Sequence, residues 1–280
     1  MNATLSRLEK DVATLRGQLA PPAAALAPIE IAQRAGITPD AWQRDVLDSE
    51  AQQIILLCAR QSGKSTVTSI LATHRAVMVP GSLVLLLAPA LRQSQELFRK
   101  VKGVYGALGD TVPAVVENAL SLELLNGSRI VTLPGKEATI RGFSAPDLVI
   151  EDEASRVADE LHQAIRPMLA VSQGRLVLLS SPFGRRGHFY ETWERGGPDW
   201  LRIKITAHDV PRIDPAWLEA ERLATGGSDK NISWSSRTPS TRISAAKTSR
   251  RWPAPTCSHS LRRSRDAARI HHFCRLGPNP

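Results

Sequence analysis

The sequence predicts an α/β fold with a mostly parallel central sheet flanked by helices. Three observations carry that prediction. Apolar runs at Ile54–Cys58, Leu83–Ala88, Leu148–Ile150 and Arg175–Leu179 read as strands covered on both faces, because a half-exposed strand would alternate with polar residues. Helix-like segments separate these runs, as parallel strands require for their crossovers. Finally, the apolar content of 42% over 280 residues is enough for a substantial core.

Taken in order, Leu5, Leu8, Val12, Leu15 and Leu19 recur at spacings of three and four, predicting a short accessory helix rather than a stable coiled coil. Residues 20–28 (APPAAALAP) read as an Ala/Pro linker, so the first segment is 1–28. Alternating strands and helices then run from about Ile29 to Ala224, defining a domain over 29–226. Helices are expected from Lys64 to about Val79, Leu91 to Leu108, Asp159 to Val171 and Pro215 to Leu223. Leu122–Leu125 and Arg129–Leu133 flank Asn126-Gly127, which predicts a hairpin with a type I′ turn. Leu201–Ile205 alternates as a further strand.

Residues 227–280 differ in kind. They carry eleven Lys and Arg against two acids, Asp229 and Asp266, so this segment holds the whole +9 net charge of the chain. The body is electrically balanced, and the basic isoelectric point is no argument for nucleic-acid binding there. Ser, Arg, Thr and Pro dominate the segment without periodicity. Three readings are open: a disordered basic tail, an out-of-frame translation, or a zinc module on Cys257, His259, His271 or His272, and Cys274. Three scattered cysteines exclude a disulfide framework, and no apolar run approaches the length of a membrane span. A soluble, cytoplasmic protein is expected.

Four motifs carry chemistry. Residues 58–65, Cys-Ala-Arg-Gln-Ser-Gly-Lys-Ser, follow an apolar strand and precede a helix, matching the phosphate-binding loop except that Cys58 stands where the first glycine belongs. Gly63 lets the backbone aim amides at phosphate oxygens, Lys64 reaches the β- and γ-phosphates, and Ser65 ligates Mg²⁺. The candidate nucleotide contacts are Gln43, Cys58, Ala59, Arg60, Gln61, Ser62, Gly63, Lys64, Ser65, Thr66, Ser180 and Ser181. Leu148-Val149-Ile150-Glu151-Asp152-Glu153 has the form of a Walker B strand: Asp152 would hold Mg²⁺, and Glu153 would take the proton of the attacking water. Ser180-Ser181-Pro182 ends the next strand, where ATPases with an extra strand between Walker A and B place a γ-phosphate sensor. Ahead of the first strand, Trp42-Gln43 offers an amide that can bond adenine bidentately beside an aromatic ring. Arg60 and Arg141 are the arginines able to stabilise transition-state charge. The predicted fold is thus a P-loop NTPase of the ASCE type, with ATP and Mg²⁺ as cofactors and Glu153, Arg60 and Lys64 as catalytic candidates.

The ordered set Trp42-Gln43, Arg60 to Thr66, Ala88 to Ser94, Arg141-Gly142, Ile150 to Ala154 and Ser180 to Gly184 resembles the ATPase domain of phage large terminase subunits, over about residues 38–225. The resemblance implies a motor that packages double-stranded DNA into procapsids, with Arg60 as loop arginine, Glu153 as catalytic carboxylate and Ser180-Ser181 as coupling motif. It further implies a small terminase subunit and a portal protein as partners, and a homo-oligomeric ring. Such subunits usually add a nuclease domain rich in metal-binding acids. The tail offers only Asp229 and Asp266, so nuclease activity is not expected of this chain. Two rival readings are a helicase-like translocase and an inactive prophage remnant; Asp152-Glu153-Ala154-Ser155 does not make a helicase box.

Overall fold

The computed structural model describes residues 26–134, 140 and 142–224. The N-terminal leucine stripe, Arg141 and residues 227–280 lie outside the described residues. The strands are β1 (Gln53–Cys58), β2 (Leu83–Ala88), β3 (Ala114–Glu117), β4 (Ser121–Leu124), β5 (Arg129–Pro134), β6 (Leu148–Asp152), β7 (Arg175–Ser180) and β8 (Trp200–Ile205). They form one sheet in the order β3-β4-β5-β2-β6-β7-β1-β8. Six of them, from β5 to β8 in that order, pair in parallel, and only the β3-β4-β5 edge is antiparallel. Because β7 pairs with both β1 and β6, it lies between the strand of the phosphate loop and the Walker B strand, as the ASCE reading requires.

The helices are α1 (Pro28–Arg34), α2 (Ala41–Leu47), α3 (Lys64–Met78), α4 (Leu91–Gly106), α5 (Asp159–Ser172), α6 (Gly187–Arg195) and α7 (Pro215–Ala224). Strand alternation sends Ile54, Leu56, Val84, Leu86, Ile150, Val177 and Leu179 to one face, where Val67, Ile70 and Leu71 of α3 and Leu97, Phe98 and Val101 of α4 cover them. Ile55, Leu57, Leu85, Leu87, Val149, Leu176 and Leu178 point to the other face, against Leu161, Ile165 and Leu169 of α5 and Phe189 of α6. Leu26, within the stretch read as linker, is buried in the first of these cores.

The hairpin exists, but its turn is not type I′. That turn needs positive φ at both central residues. Here Gly127 alone has it (φ 84), while Asn126 does not. The Gly127 amide donates to the Leu124 carbonyl at 2.9 Å and the Leu124 amide to the Ser128 carbonyl at 2.9 Å, giving a three-residue loop with a left-handed glycine. The Asn126 amide nitrogen is drawn inward to the carbonyls of Ala76 and Val77, at 2.9 and 3.4 Å, which holds the residue out of the left-handed region.

Between α5 and β7, Gly174 packs against the entrance of the neighbouring strand. A Cβ added there would lie 2.1 Å from the Pro146 carbonyl oxygen, a backbone atom that cannot swing away. Gly174→Ala is therefore expected to destabilise the domain by about 2–3 kcal/mol through overpacking. The melting temperature should fall by roughly 5–10 °C; an unchanged calorimetric melt would contradict this close contact.

Candidate functional site

Strand β1 ends at Cys58 and the chain turns back over the sheet through residues 59–63 before α3 begins at Lys64. Two residues in this turn occupy the left-handed region, Gln61 (φ 62) and Gly63 (φ 89). Such a turn aims successive amides into one concavity, and it meets the N-terminus of a 15-residue helix, so both features favour an anion. Gly63 is favoured by its φ, and a Cβ there would also come within 2.6 Å of Gln43 Nε2, so that side-chain amide would have to shift.

A cleft of about 630 Å³ opens over this loop and is lined by Gln43, Arg60, Gln61, Ser62, Gly63, Lys64, Ser65, Thr66 and Glu153, among others. Lys64 Nζ lies 2.8 Å from Glu153 Oε1 and donates to Ser181 Oγ at 3.3 Å. Ser65 Oγ donates to Asp152 Oδ2 at 3.4 Å. The second oxygen of that carboxylate accepts from the Glu153 amide at 2.9 Å. Glu153 itself is held in the left-handed region (φ 50), a conformation that costs a non-glycine residue about 1 kcal/mol. That turn lifts its side chain off the line of β6 and into the cleft. Ser180 Oγ is 2.5 Å from Ser155 Oγ and 3.5 Å from Glu153 Oε2, joining the end of β7 to the turn after β6. The residues read from sequence as Walker A, Walker B and coupling motif thus meet in one place, although they span positions 63 to 181 of the chain.

Electrostatics follow from burial. The Asp152 carboxyl is raised from its ordinary value by burial, against the opposing charge of Lys64. The Cys58 thiol is pushed up to about 12, again by burial, with the Lys64 charge pulling the other way. Oxygen donors from Ser65 and Asp152 this close together fit a hard cation such as Mg²⁺, which takes few protein ligands and keeps waters and phosphate oxygens for the rest.

Some expected contacts lie elsewhere. Cys58 is fully buried in the core and Ala59 faces a separate apolar hollow, so neither lines the cleft. Trp42, expected beside an adenine ring, is 7% exposed and packed in the core rather than set in the cleft wall. Gln43 does reach the cleft, but its amide is used within the protein: the carbonyl oxygen accepts from the Asp40 amide at 2.8 Å, and the nitrogen donates to the Ser62 carbonyl at 3.4 Å. It braces the phosphate loop from behind. Arg60 is exposed at the mouth.

Six cleft residues have no role in the sequence reading: Ile37, Thr38, Gln93, Lys100, Arg156 and Arg212. Arg156 sits three residues after Glu153 on a short 3₁₀ turn, and its guanidinium lies 4.3 Å over the Phe183 ring. That spacing is visible in the sequence. Arg212 bonds Asp40 Oδ1 at 2.8 Å and the Ser62 carbonyl at 3.1 Å, and only the fold brings it there.

Residues 55–247 match the family model described as terminase large subunit, T4likevirus-type, N-terminal. The chain belongs to the terminase large subunit family. A probable terminase large subunit of Enterobacteria phage P7 is 29% identical over 217 residues, covering 69% of this chain and 44% of that protein. The terminase large subunit of Thermus virus P23-45 is 29% identical over 199 residues, covering 64% and 41%. This terminase chain therefore spans less than half the length of those relatives. Among solved structures, an ATPase-domain variant of the Thermus phage P74-26 large terminase shares the fold with a TM-score of 0.64 at 23% identity, over 72% of this chain and 94% of that one. The large terminase of a thermophilic bacteriophage in complex with ADP gives a TM-score of 0.56 at 14% identity, over 66% and 50%. The terminase family match runs past Gly226, where strand and helix patterning in the sequence stops. Among the described residues, no helix is long and apolar enough to cross a membrane.

Proposed function

We propose that this chain carries the ATP-hydrolysing motor of a terminase and couples hydrolysis to movement of double-stranded DNA into a procapsid. The observation that carries the reading is the convergence of Lys64, Ser65 and Glu153 on one cleft over a helix N-terminus, with Ser181 bonded to Lys64 and Asp152 bonded to Ser65. The solved relatives named for an ATPase domain and for bound ADP support a nucleotide as ligand.

The geometry supports the following roles. Amides of the 61–64 turn and Lys64 Nζ cradle the phosphates. Ser65 and Asp152 would hold Mg²⁺, whose positive charge stabilises the leaving phosphates when bound. Lys64 and Glu153 are paired at 2.8 Å, so an arriving γ-phosphate competes with Glu153 for the same ammonium group. Glu153 is then released to accept the proton of the attacking water. Ser181, bonded to the same ammonium, experiences the exchange directly, which makes the end of β7 the natural sensor of the phosphate. Arg60 at the mouth and Arg156 within the cleft are placed to offset charge that builds up in the transition state. A homo-oligomeric ring, a small terminase subunit and a portal protein are the partners this role requires.

The deciding experiment is calorimetric titration of the chain with a non-hydrolysable ATP analogue and Mg²⁺, followed by ATP turnover with and without linear double-stranded DNA. Saturable binding and DNA-stimulated turnover are expected. A folded chain that binds no nucleotide would overturn the motor reading.

A further inference from the structure

Glu151 is fully buried, yet it has no part in the nucleotide chemistry described above. It precedes Asp152 by one residue, so strand alternation sends the two carboxylates to opposite faces of the sheet. Asp152 faces α3, where Ser65 donates to it, whereas Glu151 faces α5 and α6. Its two oxygens each meet one imidazole: Oε1 is 3.2 Å from His162 Nδ1 and Oε2 is 3.0 Å from His188 Nε2. His188 continues the chain of contacts, with Nδ1 3.2 Å from Asp159 Oδ1, and the same oxygen accepts the His188 backbone amide at 2.7 Å.

Two imidazoles and a carboxylate invite comparison with a metal site, and the ligand atoms lie within 4.8 Å of one another. The ring geometry argues otherwise. The two rings stack with centroids 4.3 Å apart and planes inclined by only 13°. An imidazole binds a metal in its own ring plane, and one ion cannot lie in two near-parallel planes so far apart. The same arrangement suits a carboxylate, which offers each ring a separate oxygen.

The three residues come from the elements that bracket the nucleotide chemistry. Glu151 sits at the end of β6, beside Asp152 and Glu153. His162 lies in α5, which follows the turn carrying Glu153 and Ser155. His188 lies at the start of α6, which follows the loop carrying Ser181. We infer that Glu151, His162 and His188 form a positioning clamp that, from the far face of the sheet, fixes the Walker B carboxylates relative to the Ser180-Ser181 loop. None of the three touches the cleft; they act through the strand and loops they hold. The effect on turnover rests on the ATPase reading, whereas the effect on the loops does not.

The test compares Glu151→Leu, Glu151→Gln and His162→Phe in the full chain. Leucine fills the space without hydrogen bonds, glutamine keeps the shape and can accept from one ring and donate to the other, and phenylalanine keeps the ring stack while losing one bond. In Glu151→Leu, amide hydrogen exchange without nucleotide should rise roughly tenfold in residues 153–158 and 181–186, with the phosphate loop unchanged. ATP turnover should fall roughly ten- to a hundredfold at unchanged nucleotide affinity. Glu151→Gln should restore both readouts, and His162→Phe should loosen 153–158 more than 181–186. Wild-type exchange in both loops of the folded leucine and phenylalanine variants would overturn the clamp. So would one equivalent of Co²⁺ giving a four-coordinate visible absorption band that is lost in His162→Phe. Exchange is read without nucleotide, so the clamp stands or falls on it even where the motor reading fails.

Discussion

Glu153→Gln is expected to abolish ATP turnover while leaving nucleotide affinity nearly intact. The amide keeps the size of the side chain and can still accept a hydrogen bond from Lys64, but it cannot take a proton from water. Loss of a positioned general base lowers the rate by roughly 10²–10⁴-fold. Affinity should hold or rise slightly, because Lys64 Nζ, now 2.8 Å from a carboxylate, would leave a neutral partner for the phosphate more readily. Single-turnover hydrolysis and calorimetric titration on the same preparation separate the two effects. If turnover persists in Glu153→Gln, the base lies elsewhere in the cleft.

Lys64→Ala should do the reverse and remove binding itself. A charged hydrogen bond to phosphate contributes about 3 kcal/mol, roughly a hundredfold in Kd. The substitution also leaves the Glu153 carboxylate, whose side chain is 21% exposed, without its ammonium partner and facing the incoming phosphate. Repulsion adds to the loss. Calorimetry with the non-hydrolysable analogue should show no saturation in the range where the parent chain saturates. Equal affinity in the two chains would mean that the phosphates sit away from the loop.

The sheet places the strands that lead to Lys64 and Glu153 on either side of β7. This arrangement is legible in the sequence from residue order and strand patterning: an apolar run without a motif between Lys64 and Asp152, then another ending in Ser180. Chain order alone does not show that β7 inserts between β1 and β6, but the set of motifs implies it. What escapes the sequence has physical causes. The β3 strand has Ala114 to Glu117 all exposed, so no burial pattern marks it. Helix α6 opens on Gly187 and follows two arginines, and its buried residues are only His188 and Phe189, too few to set a helical period. Gln43 offers a donor and acceptor pair that suits adenine, and the fold uses that pair to brace Asp40 and Ser62. Trp42 offers a stacking surface, yet its size serves the core. Glu151 is legible only as an extra acid before the Walker B pair, because its two imidazole partners are 11 and 37 residues away.

The strand order also governs how the molecule is made. Residues 53–57 of β1 find their partners in residues 176–180 on one side, and residues 53–58 pair with 200–205 on the other. Every strand pairing that flanks the phosphate loop therefore spans well over a hundred residues of chain, and loop closure of that length must precede any energetic return. On a ribosome, β1 emerges early and stays unpaired until β7 and β8 have followed it out, exposing the Ile-Ile-Leu-Leu run meanwhile. The nucleotide site is thus among the last parts of the fold to form, and a growing chain is most prone to aggregation just before it gains the capacity to bind its ligand.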